Sequence, residues 1–107
     1  MDLQNKTVLV IGTGKSGIGA AGLLSKAGAR TILFDSNEKL NVEALKEKTA
    51  GISSLQLVTG TLPLALEKQV ELLVVSPGVP IDSDMVVFFE KRGIPLCGTG
   101  FQVEQII

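Results

Sequence analysis

Histidine is absent and cysteine occurs once, so imidazole can serve neither as a base nor as a metal ligand, and no internal disulfide can form. The single Cys97 reads as a small apolar residue at the end of a strand, and one unpaired thiol fits a cytoplasmic setting. Aromatic residues are few, and ten basic side chains nearly cancel eleven acidic ones. That balance leaves no whole-domain field to attract nucleic acid or an anionic membrane. Lys46 and Lys48 alternate with Glu43 and Glu47 as on a solvated helix face. No apolar run is long enough to span a bilayer, and the first six residues do not form a signal peptide. A soluble protein of the cytoplasm is the expectation, and 107 residues suit one domain.

The stretch from Thr7 to Gly28 organises what is present. Thr7-Val8-Leu9-Val10-Ile11 is apolar on both faces, as a strand inside a parallel sheet must be. Gly12-Thr13-Gly14-Lys15-Ser16-Gly17 follows with G-x-G-x-x-G spacing. Gly12 permits the turn out of the strand, Gly14 leaves bare backbone for a ligand, and Gly17 lets the helix lie close to the sheet. A helix from about Ser16 to Ala27 presents Ile18, Ala20, Ala21, Leu23 and Leu24, with Gly28 set to stop it. Its leading amides sit at the positive end of the macrodipole and suit an anion such as a phosphate. Asp35 closes a second strand, Thr31-Ile32-Leu33-Phe34, at the distance where a dinucleotide fold puts its ribose-binding carboxylate.

Further on, helix two runs from about Val42 to Thr49, a more polar edge strand spans Leu55 to Thr59, and a modest helix covers Pro63 to Gln69 with proline in its first turn. Leu72-Leu73-Val74-Val75 is a central strand that runs into the stiff segment Ser76-Pro77-Gly78-Val79-Pro80. Asp82-Ser83-Asp84 offers capping side chains to a fourth helix beginning at Met85 and ending near Arg92-Gly93, and Ile94 to Cys97 gives a fifth short strand. Alternating strands and helices mean an α/β, Rossmann-like, doubly wound parallel sheet of five strands in the order 3-2-1-4-5, with helices on both faces. The switch point then lies between strands one and four, bringing the glycine turn and the segment at Ser76 into one crevice. On these grounds the ligand is a diphosphate carrying a nucleoside. A turn without ligand, a self-standing NAD-binding module, and a Rossmann scaffold used only for oligomerisation stay open beside it.

Val8-Leu9-Val10-Ile11-Gly12-x-Gly14-Lys15-Ser16-Gly17, then Asp35-Ser36, then Ser76-Pro77-Gly78-Val79-Pro80, then Arg92-Gly93-Ile94-Pro95 resembles the N-terminal domain of the Mur ligases, and most closely their D-glutamate-adding members. The resemblance covers nearly the whole chain. It implies a UDP-sugar ligand, UDP-N-acetylmuramoyl-L-alanine, used in cytoplasmic peptidoglycan synthesis. It also implies that the amides around Gly14, Lys15 and Ser16 hold the diphosphate, that Asp35 and Ser36 face the uracil, and that Ser76 and Gly78 line the path to the sugar. The complete enzymes resembled use ATP and magnesium. The Gly-Thr-Asn-Gly-Lys-Thr signature of their central domain is absent here, and so is their C-terminal domain. The expectation is therefore a UDP-sugar-binding domain over residues 1–98 and a tail over 99–107 that begins a linker. Catalytic residues, metal ligands and a cofactor are not expected in this chain.

Overall fold

Every residue of strand β1, Thr7–Ile11, is buried, because the sheet continues on both sides of it and helices cover both of its faces. The computed structural model describes residues 3–76, 79 and 83–97. In chain order β1 is followed by α1 (Lys15–Lys26), β2 (Arg30–Asp35), α2 (Val42–Lys48), β3 (Leu55–Thr59), α3 (Leu64–Glu67), β4 (Leu72–Val75), α4 (Asp84–Lys91) and β5 (Leu96–Cys97). All pairings are parallel, and the order across the sheet is β3-β2-β1-β4, with the two-residue β5 beyond β4. The α/β class and the order of the first four strands are those expected. Among the described residues, the pairing beyond β4 is limited to Leu96 and Cys97; Pro95 has no N–H and offers only its carbonyl, to the amide of Leu73.

The period-two alternation of β1 divides the core. Val8 and Val10 join Leu33, Leu72 and Val74 on one face and meet Ala20 and Leu24 of α1. Leu9 and Ile11 join Ile32, Phe34, Leu73 and Val75 on the other and meet Val86 and Phe89 of α4, with Leu62 and Val70 flanking α3. Burying one such side chain stabilises the fold by roughly 1.5–3 kcal/mol, so two opposed clusters hold the central strands in fixed register. Helix α1 stops as anticipated at Gly28, whose φ is +88°. Gly28 N–H donates to Ser25 O and Ala29 N–H to Leu24 O, closing a Schellman motif.

Three details differ from expectation. Helix α3 is a single turn, with Pro63 in its capping position and not inside it. Ser83 occupies the N-cap of α4, yet its hydroxyl makes no capping hydrogen bond; α4 begins at Asp84. Helix α2, by contrast, is capped by a residue not singled out from the sequence, the Asn41 carboxamide oxygen accepting from Ala44 N–H at 3.1 Å. Among the described residues no helix is long and apolar enough to cross a membrane. Residues 77, 78, 80–82 and 98–107 lie outside the described residues, and with them the expectations for Pro77, Gly78, Pro80, Asp82 and the tail.

Candidate functional site

The register of the sheet dictates what meets at its carboxyl edge. Ile11 pairs with Phe34 on one side and Val75 on the other, so Gly12 leaves the sheet beside Asp35 and Ser76. Gly12 N–H still reaches Phe34 O at 2.8 Å, and Ser76 N–H reaches Ile11 O at 3.0 Å. The chain then turns at a φ of +105°, a torsion suited to glycine. A Cβ on Gly12 would lie 2.8 Å from Ser76 Oγ and 3.2 Å from Val79 Cγ2. The strand-one turn and the segment after β4 are thus packed together, as the switch-point argument requires.

Helix α1 starts hard against this turn. A Cβ on Gly17 would overlap the Gly12 carbonyl oxygen outright and come within 2.9 Å of Ser76 Oγ, so only glycine allows the approach. Gly14 behaves oppositely. It is the N-cap of α1, has an ordinary extended backbone, and among the described residues nothing lies within 4 Å of a Cβ built there. The first helical bond runs from Ile18 N–H to Gly14 O, so the amides of Lys15, Ser16 and Gly17 precede the ladder and point out of the leading end. Gly14, Lys15 and Ser16 are exposed, Gly17 buried. A bare, electropositive helix start therefore faces open space at the carboxyl edge of the sheet.

Beside it is a cleft of about 580 Å³. Gly12, Asp35 and Ser36 form its rim at the sheet edge, Ile11 and Phe34 its apolar floor, and Gly60, Thr61, Glu67, Val79 and Met85 belong to the wall from the far face. Gly60 adopts a φ of +85° and donates its N–H to Asp35 O at 2.8 Å, tying the β3 exit to the β2 exit. The Asp35 carboxylate is fixed from two sides: Oδ2 accepts from the Thr13 hydroxyl at 2.9 Å and Oδ1 from Asn37 N–H at 2.9 Å.

Of the residues expected to form the site, Gly12, Asp35 and Ser36 line this cleft, and Ser76 lies directly behind Gly12 with its hydroxyl 3.4 Å from Gly12 O. Gly14, Lys15 and Ser16 form the adjoining helix start, Gly17 is the contact that aims it, and Gly78 is outside the described residues. Thr13, Gly60, Thr61, Glu67 and Met85 were not anticipated. The rule that ligands gather at the carboxyl ends of strands pointed to Gly60 and Thr61 after β3; Glu67 and Met85 depend on how α3 and α4 fold over the far face, and Thr13 on the register that sets the turn after β1 beside Asp35. Among the described residues, no group of three or more acidic, cysteine or histidine side chains could hold a metal ion.

Residues 6–98 match the family described as Mur ligase MurD-like, N-terminal domain. The chain is 52% identical over 98 residues to a UDP-N-acetylmuramoylalanine--D-glutamate ligase of Lachnospira eligens, and 42% identical over 98 residues to one of Lachnoclostridium phytofermentans. Both alignments take in 92% of this chain and 22% of the relative, so the chain spans about a fifth of the length of these relatives. Among solved structures, shikimate dehydrogenase from Aquifex aeolicus superposes with a TM-score of 0.63 over 91% of this chain and 43% of that one, at 16% identity. SirC, a precorrin-2 dehydrogenase, gives 0.54 over 90% of this chain and 45% of that one, at 18% identity. Identities this low speak to a Rossmann-like fold and to nothing finer.

Proposed function

The chain belongs to the family of MurD-like N-terminal domains of the Mur ligases, and from that premise we propose that it binds the UDP part of UDP-N-acetylmuramoyl-L-alanine on behalf of a D-glutamate-adding ligase of peptidoglycan synthesis. The observation that carries the proposal is the pairing of an open helix start at Gly14, Lys15 and Ser16 with a cleft whose rim holds the Asp35 carboxylate. The amides and the dipole take the diphosphate, a contribution of about 0.3–2 kcal/mol for each charge so placed. Lys15, at the first helical position, adds a positive charge close to the phosphates. Asp35 accepts a hydrogen bond from an N–H of the uracil, and Ser36 beside it supplies a second polar contact at the rim. Ser76 and Gly78 begin the path along which the sugar leaves the crevice.

Amide formation is assigned to the full-length enzyme, where ATP and magnesium activate the muramoyl-alanine carboxylate in a central domain and D-glutamate is received by a C-terminal one. Residues 1–98 serve as the UDP-sugar-binding domain, and 99–107 begin the connection onward. Alone, the chain holds substrate and catalyses nothing, and its working compartment is the cytoplasm.

Calorimetric titration with UDP, UDP-N-acetylmuramoyl-L-alanine, NAD and ADP-ribose tests this reading. The uridine ligands are expected to bind more tightly than either adenosine ligand. Tighter binding of NAD would overturn the proposal in favour of a dinucleotide module.

A further inference from the structure

Thr13 is the x of G-x-G, a position that the glycine fingerprint leaves free, yet its side chain joins the two halves of the site. Gly12, at its φ of +105°, swings the chain back over the end of β2, and Thr13 Oγ1 then lies 2.9 Å from Asp35 Oδ2, across 22 residues of sequence. A hydroxyl has one proton to donate, and here it goes to the carboxylate. The diphosphate is consequently left to the backbone amides of the helix start. Asn37 N–H takes the other carboxylate oxygen at 2.9 Å. A carboxylate offers about four acceptor positions, so two donors still leave room for a ligand N–H.

Building on the uridine-diphosphate reading, we propose that Thr13 is a positioning residue for nucleoside recognition: its hydroxyl, with Asn37 N–H, holds the Asp35 carboxylate in its receptive orientation before ligand arrives. Threonine suits this task because its β-branched side chain is stiff about χ1, so the hydroxyl is delivered with little rotamer freedom to lose. An Asp35 held at only one oxygen would rotate on its Cα–Cβ bond and meet the nucleoside at the cost of ordering itself. Thr13 adds no contact to the ligand. It acts entirely through Asp35, and that separates its signature from that of a residue supporting the phosphate turn.

The test compares the chain with Thr13→Val, Thr13→Ser, Asp35→Ala and the Thr13→Val/Asp35→Ala double variant, each titrated with UDP and with inorganic pyrophosphate. Thr13→Val keeps the side-chain shape and removes the donor; UDP affinity is expected to fall about fivefold, the scale for ordering one side chain on binding. Thr13→Ser restores the donor and should bind within about twofold of the parent chain. Pyrophosphate affinity should not respond to Thr13→Val, and in the Asp35→Ala background the same change should cost nothing further. Unchanged UDP binding in Thr13→Val, an equal loss on pyrophosphate, or an undiminished cost without Asp35 would each overturn the inference while leaving the functional reading intact. Failure of the unaltered chain to bind any uridine diphosphate would instead remove that reading, and this inference with it.

Discussion

Gly14 and Gly17 are three residues apart in one glycine fingerprint, and the structure assigns them opposite sensitivities. At Gly17 an added Cβ overlaps the Gly12 carbonyl oxygen and crowds Ser76 Oγ, so Gly17→Ala forces α1 off the turn that seats it. Overpacking costs about 1–3 kcal/mol when side chains can move aside, and the upper end applies here because the obstacle is backbone. For a domain of this size 1 kcal/mol moves Tm by about 4–8 °C, so a loss on the order of 12–24 °C follows for Gly17→Ala. At Gly14 nothing among the described residues lies within 4 Å of an added Cβ and the backbone torsions are ordinary, so Gly14→Val costs only the capping preference, about 1 kcal/mol or less. Its isopropyl group, however, would stand where the proposed site seats the diphosphate, and UDP affinity is expected to fall more than about tenfold. Thermal unfolding of both variants followed by UDP titration of the folded one makes the comparison. A Gly17→Ala variant as stable as its parent, or a Gly14→Val variant with parental UDP affinity, would refute the division of labour.

Asp35→Ala should weaken UDP binding by about 1–3 kcal/mol while leaving the slope of affinity against salt nearly unchanged, because a nucleoside contact involves no phosphate charge; a flattened slope in salt titrations would argue against that role. Phe89 is 1% exposed in the cluster between α4 and the sheet, so Phe89→Ala should lower the unfolding free energy by about 3–5 kcal/mol in denaturant titration. Replacing the capping residue of α2, Asn41→Ala, should cost about 1 kcal/mol by the same measurement, while Asn41→Asp should be nearly neutral.

How much of this was legible in the sequence follows from the range of the interactions. The strands at Thr7, Thr31, Leu55 and Leu72 were readable because apolar runs bounded by glycine or polar residues are local signals, and their order follows from parallel crossovers. The turn at Gly12 and the close approach at Gly17 were readable too, since strand-turn-helix geometry repeats wherever it occurs. The wall of the cleft was not. Glu67 and Met85 reach it only because α3 and α4 return over the same face, a consequence of packing between segments distant in sequence. The Thr13 bond to Asp35 likewise needs the β1 and β2 register to be known first. Local rules misjudged the helix starts near Pro63 and Ser83: Pro63 stands outside its helix, and the Ser83 hydroxyl makes no hydrogen bond to the N–H groups at the start of α4.

In the proposed binding mode a diphosphate seats on the leading end of α1 while its nucleoside occupies the cleft rimmed by Asp35. Amide chemical-shift mapping by NMR during a UDP titration addresses it residue by residue. The largest shifts are expected at Gly14, Lys15, Ser16 and Gly17, together with Ser36 and Gly60, with little change at the opposite end of the sheet near Thr7, Arg30 and Ser54. Shifts concentrated at that opposite end, with the helix start silent, would contradict it.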